Sequence, residues 1–238
     1  VPSSSGSYVV DVGDEFSMML TGTSKVSASS SEKQMVQRDG TILVPNIGKL
    51  SVAGMTLAKA EQAIVDYLKI TSPGVTPFIS LSKVRDINIL MLGGVVSPGI
   101  FTLGGGSNVL TALNVAGGIS DTGSYRKIEH KRDGTVIQVI DLYEIFINGN
   151  MNLNTDLRSG DVLLVHPMQT SIPVSGGINT PAIFEALPGE TAADLISFAG
   201  GFSSAFKGHQ NIFIKRSDIS SNRIIDLPVE NIGLFPLE

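Results

Sequence analysis

The feature that most restricts the fold of this 238-residue chain is that one stretch of it occurs twice. Gly93-Gly94 returns as Gly176-Gly177, Pro98 as Pro181, Phe101 as Phe184 and Ala116-Gly117-Gly118 as Ala199-Gly200-Gly201, every pair 83 residues apart. One residue is then inserted, so that Ile128 answers Ile212 and Lys131-Arg132 answers Lys215-Arg216 at a spacing of 84. Self-similarity at a fixed period marks one supersecondary unit used twice. Whatever fold Ile89 to Leu142 takes, Ile172 to Leu227 must take a version of it.

Each copy reads as strand, turn, strand, short helix and hairpin. Ile87 to Val96 is a mostly apolar run, Ser97-Pro98-Gly99 a turn, and Ile100 to Leu103 a second strand. Asn108 and Thr191 stand at matching positions as helix N-caps, with Asp194 three residues after Thr191. Val109, Leu113 and Ala116, like Ala192, Ile196 and Ala199, recur at helical spacing, and Gly117 and Gly200 stop the helices. Asp133-Gly134 signals a hairpin between Lys127–Arg132 and Thr135–Ile140, and Ser159-Gly160-Asp161 turns into the apolar strand Val162 to Val165. A small sheet gripping one helix is a β-grasp-like α+β module.

The preceding part differs. Asp39-Gly40 predicts a hairpin between Gln34–Arg38 and Thr41–Val44, Thr56 caps an amphipathic helix through Leu57, Ala60, Ile64 and Leu68, and Thr21 to Ser31 reads as an exposed loop. The predicted fold class is α+β, with an N-terminal domain over residues 1–86, repeated modules over 87–169 and 170–236, and a vector-derived tail at 237–238.

Composition narrows the function. A net charge of −5 and a pI near 5.2 supply no basic field for phosphates, so nucleic acid is not an expected partner. No run approaches the roughly 18–20 apolar residues needed to cross a bilayer, and Val1 to Ser7 lack the regions of a signal peptide. Because Val1 is not an initiator and Leu237-Glu238 resembles a vector scar, the chain reads as trimmed from a longer protein. The absence of cysteine excludes disulfides and thiolate chemistry and leaves the compartment open.

At Tyr8-Val9-Val10-Asp11-Val12-Gly13-Asp14, at Asp39-Gly40-Thr41-Ile42-Leu43-Val44-Pro45-Asn46-Ile47-Gly48-Lys49-Leu50 and at Val52-Ala53-Gly54-Met55-Thr56 the sequence resembles the polysaccharide export domain of Wza-type outer-membrane export proteins. The repeats resemble the soluble-ligand-binding β-grasp (SLBB) modules of that family through Gly94-Val95-Val96-Ser97-Pro98-Gly99, Ala116-Gly117-Gly118 and Gly200-Gly201. The resemblance implies a periplasmic, outer-membrane-associated, ring-forming component of a capsular or exopolysaccharide export translocon. Its implied partners are the polymer, further copies of the chain and an inner-membrane co-polymerase, with the outer membrane reached by the full-length protein and no cofactor. Asn179-Thr180-Pro181-Ala182 departs from the first copy, so a different turn is expected there.

Chemistry-bearing residues read as structural. His130, His166 and His209 have no nucleophilic Ser or Asp at informative spacing, and no metal pattern accompanies them. Asp14, Asp39 and Asp161 each sit beside glycine, where Asp accepts backbone hydrogen bonds in turns. Gly104-Gly105-Gly106 precedes a helix and could hold an anion, but it lacks a P-loop's Lys-Ser/Thr and reads as a flexible connection. Arg126, Lys127, Lys131 and Arg132, with Glu129 among them, read as a solvated strand face. With no Trp and four Tyr, the chain offers few flat faces to grip sugar, which suits a conduit that must let polymer pass. The expected function is therefore non-enzymatic; the alternative is a soluble periplasmic β-grasp module that binds glycan or ligand without forming a channel.

Overall fold

The computed structural model describes residues 8–22, 32–44, 47–71, 74–150, 156–206, 213–218 and 223–228. Pro45, His209 and the tail at 237–238 lie outside the described residues, as does most of the expected loop, although Thr21 and Gly22 belong to the first strand.

In the N-terminal part, β1 (Glu15–Gly22) lies between β2 (Glu32–Met35) and β5 (Val75–Lys83), antiparallel to both. A separate hairpin pairs β3 (Thr41–Val44) with β4 (Gly48–Ser51). Helix α1 (Leu57–Thr71) covers this core with the four predicted side chains, Leu57, Ala60, Ile64 and Leu68. Burial of each of its larger aliphatic side chains contributes about 2 kcal/mol. The predicted Asp39-Gly40 hairpin is corrected. Gly40 does turn the chain at φ +76° and Gln37 N–H bonds Thr41 O, but β2 joins β1 while β3 joins β4. Asp39 explains the choice: its carboxylate holds Thr41 N–H, Thr41 Oγ1 and Lys49 Nζ, tying the turn to the β3–β4 side. Those bonds, Thr41's first, bring its pKa down to about 2.

The first repeat is a five-stranded sheet in the order β7–β6–β10–β8–β9, from β6 (Asp86–Gly93), β7 (Gly99–Gly104), β8 (Gly123–Arg132), β9 (Thr135–Ile140) and β10 (Val162–Pro167). Only β6 and β10 run parallel; the other pairs are antiparallel. The second–first–fifth–third–fourth order is that of a β-grasp. Helix α2 (Val109–Val115) packs on one face over Ile87, Ile89, Met91 and Leu163, while a short α3 (Leu142–Phe146), unforeseen in the sequence, begins at Asp141. Asp133 and Gly134 both have positive φ, as a two-residue hairpin turn requires.

The second repeat follows with β11 (Ser171–Val174), β12 (Ala182–Glu185), α4 (Ala192–Phe198), β13 (Phe213–Asp218) and β14 (Arg223–Pro228), its strands forming two hairpins. Seven-residue helices are too short to persist alone, so caps matter. Asn108 Oδ1 accepts from Thr111 N–H, and Thr191 N–H and Oγ1 both donate to Asp194. At the C-terminal ends Gly118 N–H bonds Leu113 O and Gly201 N–H bonds Ile196 O, each at 2.8 Å. The second turn differs from the first in that Gly99 has a positive φ and its counterpart Ala182 does not, but the crossing bonds are the same. Asn179 N–H to Gly201 O and Thr180 N–H to Ala199 O reproduce Val96 to Gly118 and Ser97 to Ala116, and Asn179 Nδ2 adds a bond to Gly200 O. Backbone bonds specify that crossing, so the side chains were free to change.

Gly94 shows what the shared glycines do. Its backbone is not left-handed; a Cβ there would stand 2.4 Å from Gly123 Cα, where no side chain can yield. Gly94→Ala should therefore lose about 2–3 kcal/mol, whereas Gly104→Ala, whose Cβ would meet only Val84 Cγ2 at 3.4 Å, should be near neutral. Urea midpoints of the two variants check this, and equal midpoints would remove the close-approach account.

Candidate functional site: two arginine-centred joints

Of the buried polar side chains, Asp14, Ser124, Arg126 and Glu185 collect where one unit meets the next, while His130 and Asp161 pair inside the first repeat. At the first joint Asp14, fully buried, accepts from Tyr8 Oη at 2.6 Å, Asp11 N–H at 2.8 Å, and Arg85 through its N–H at 2.7 Å and Nη1 at 3.0 Å. The Arg85 guanidinium also lies over the Tyr8 ring, 5.6 Å from its centre, and bonds Tyr8 Oη. Burial, reinforced by the bond to Asp14, raises the Tyr8 phenol far above its ordinary pKa and keeps it a neutral donor.

Gly105 completes this joint from the repeat side. Its N–H donates to Arg85 O at 2.7 Å, and a Cβ on it would come within 2.9 Å of Tyr8 Oη. The glycine run is thus corrected from a flexible connection to a point of close approach. Tyr8→Phe removes a donor to Asp14 and an acceptor for Arg85 together and should cost about 1–2 kcal/mol. A calorimetric melt can read it; an unchanged midpoint would mean water replaces the hydroxyl.

The second joint forms around Arg126 on β8, whose side chain is 6% exposed. Its Nε donates to Asp141 Oδ2 at 3.0 Å, and its Nη1 donates to Glu190 Oε1 at 2.6 Å and to Glu185 O. Its guanidinium stacks over Tyr143 and Phe198, 4.7 and 5.2 Å from the ring centres. Glu185 in turn accepts from Ser124 Oγ at 2.6 Å and Tyr125 N–H at 2.9 Å, while Tyr143 Oη bonds Glu185 N–H. Tyr143, on α3 of the first repeat, thereby enters the core of the second beside Ile178, Phe184 and Phe198. Burial pulls the Arg126 pKa down, but the bonds to Glu190 and Asp141 outweigh it and fix the positive charge.

The predicted solvated basic face therefore divides by alternation. Arg126, Ile128 and His130 turn inward, with Arg132 bonded to Asp161 on the same side, whereas Lys127 is exposed and Lys131 pairs with Glu129 at 2.8 Å. His130 Nε2 and Arg132 both bond the buried Asp161, and His166 Nε2 lies 3.0 Å from Glu129. Asp14, Asp39 and Asp161 each hold neighbouring backbone N–H groups, as their turn positions predict.

The other motif residues serve shape. Gly13, Gly40, Gly48, Gly54, Gly99, Gly117, Gly118, Gly200 and Gly201 have positive φ, Ala116 is buried beneath α2, and Pro98 is exposed at the turn. Sequence reasoning missed Arg85, Tyr143, Glu185 and Glu190; for Arg126 the signal existed in its two-residue spacing from Ile128. Among the described residues no group of three or more His, Asp or Glu is placed to hold a metal, and no helix is long and apolar enough to cross a membrane.

Comparison with known proteins gives the same division of the chain. A polysaccharide biosynthesis/export protein model matches residues 2–80, and an SLBB domain model matches 89–140 and again 172–218. The polysialic acid transport protein KpsD of Escherichia coli is 27% identical over 180 residues, 75% of this chain and 31% of that protein. The capsule polysaccharide export outer membrane protein CtrA of Neisseria meningitidis serogroup A is 23% identical over 212 residues, 88% of this chain and 52% of its own length. The chain thus spans about a third to a half of these relatives.

Proposed function

Because the chain belongs to the Wza-type polysaccharide export family, we propose that it is a wall segment of a periplasmic, outer-membrane-associated conduit through which a capsular or exopolysaccharide leaves the cell. Its work is geometric and not catalytic. The observation that carries this reading is the pair of arginine-centred joints: Gly105 N–H on Arg85 O ties the first β-grasp unit to the export domain, and Arg126 with Asp141 and Glu190 ties the two β-grasp units to each other. A buried polar network satisfied on all sides rigidifies what it connects. A wall needs such fixed angles, since identical subunits close into a ring only when each meets the next at the same rotation.

The tyrosines support passage over capture. Tyr8 and Tyr143 are engaged in the joints and Tyr67 packs on the export-domain core, which leaves Tyr125, Phe78 and Phe146 as the exposed large aromatic side chains among the described residues. A polymer moving past meets few aromatic platforms, so each contact is weak enough to release. Energy for movement then comes from synthesis or from an inner-membrane co-polymerase.

Deletion of the parent gene, with complementation, tests the reading by measuring polysaccharide outside the cell and in the periplasm. Loss outside with retention inside is expected. Unchanged secretion would overturn export and favour a binding module that forms no channel.

A further inference from the structure

The three-stranded sheet of the export domain has one face in the core and one turned outward. Phe16, Met18, Leu20, Ile79 and Leu81 pack into the core with α1, so the alternate residues of β1 and β5 point away from it. Their register sets out three cross-strand pairs on the outer face: Thr21 with Thr76, Met19 with Phe78, and Ser17 with Ser80. Phe78 is 57% exposed and Met19 37%. An open aromatic ring thus stands with a pair of hydroxyl side chains about 7 Å to either side along the strands. The other exposed aromatic side chains keep different company. Tyr125 shares the outer row of β8 with Lys127, Glu129 and Lys131, and Phe146 ends α3 beside Ile147.

Charge and chemistry select the occupant. Past the Ser17–Ser80 pair, Glu15 Oε1 lies 3.2 Å from Lys33 Nζ and accepts from Ser82 Oγ at 2.7 Å, while Lys83 stands opposite Glu15 in register. Two ammonium groups therefore border one carboxylate, on a chain whose net charge is −5. An acidic polymer is repelled by most of such a surface and attracted here. Hydroxyl pairs around a ring suit a pyranose, which presents C–H groups on its face and hydroxyls at its rim, better than a lipid or an apolar peptide.

We propose that the outer face of β1 and β5 is where an acidic polysaccharide touches this chain: a sugar ring lies on Phe78, its hydroxyls bond Ser17, Thr76 and Ser80, and its carboxylates face Lys33 and Lys83. The choice of a polysaccharide rests on the conduit reading above. One ring and a few hydroxyls on an open sheet give a contact that both holds and releases, as passage requires.

Nuclear magnetic resonance of the full chain, with hyaluronan oligosaccharides as the probe, tests the site. Amide shifts are expected in residues 17–21 and 76–82 and not around Tyr125 or Phe146, and they should fade as salt is raised. Phe78→Ala, at an exposed position, should keep the parent spectrum elsewhere and bind about fivefold more weakly. Lys33→Gln with Lys83→Gln should bring hyaluronan down to the level of uncharged dextran. Absent shifts, shifts elsewhere, undiminished binding by the Phe78→Ala chain or equal shifts from polyglutamate would overturn the site. The conduit would still stand, because gene deletion tests it whichever residues the polymer meets. Shifts on this face that grow with protein concentration alone would also overturn the site, by showing that a second copy covers it.

Discussion

Arg126→Ala is expected to lower stability by about 3–5 kcal/mol, the effect of removing one partner from a buried ion pair. The side chain is 6% exposed and neutralises Asp141 and Glu190, which are themselves about one-fifth exposed. Without it those carboxylates remain close together beside Glu185, under the rings of Tyr143 and Phe198, with no cation among them. Because Tyr143 and Asp141 belong to the first repeat and Glu185 and Glu190 to the second, the loss also loosens one repeat against the other, leaving the bonds of Glu185 to Ser124, Tyr125 and Tyr143 across the joint. Urea unfolding should show the drop, and small-angle scattering should show a broader distribution of lengths. Arg126→Lys should recover only part of the loss, since an ammonium cannot bond Asp141 and Glu190 from a planar fork or stack as well on two rings. A loss under about 1 kcal/mol for alanine would mean that the carboxylates reach water unaided, and the joint would no longer account for rigidity.

Asp161→Asn should be next in size, at about 3 kcal/mol, because it leaves Arg132 and His130 facing a neutral amide. Burial pushes the Asp161 carboxyl up, but the bonds from Arg132, Arg158 N–H and His130 prevail and hold it below the ordinary carboxylate value. A native pKa lower than the unfolded one stabilises the fold above the unfolded value of about 3.9 and is lost as pH falls past it. Stability of the parent chain should therefore decline below about pH 4, with a shallower decline in the asparagine variant. Parallel slopes in urea titrations between pH 7 and pH 3 would show that other carboxylates govern acid lability.

The repeat made much of this fold legible. The spacing of 83 located both helices, both N-caps and both terminating glycines, because these are local devices written in a few adjacent residues. The β3–β4 pairing and α3 were less accessible, since Asp39 acts through Lys49 ten residues away and α3 is only one turn long. The joints were the least legible. Arg126 and Glu190 are 64 residues apart, and nothing local distinguishes an arginine that meets a distant carboxylate from one that meets water. The glycine run was misread for the same reason, as the crowding at Gly105 comes from Tyr8 and Arg85.

The position of β10 has a consequence in time. It is the middle strand of the first repeat's sheet yet the last of the five to be synthesised, and its partner β6 begins at Asp86, some seventy residues earlier. Until Val162–Pro167 emerges, the two hairpins have no common neighbour, and the hydrophobic face that α2 covers lacks Leu163 and Val165. Distant pairings of this kind form slowly, because chain entropy must be spent before contacts offset it. The nascent chain therefore carries an open slot, one strand wide, through the making of the whole repeat, and shutting that slot is the step that commits the unit to its final shape.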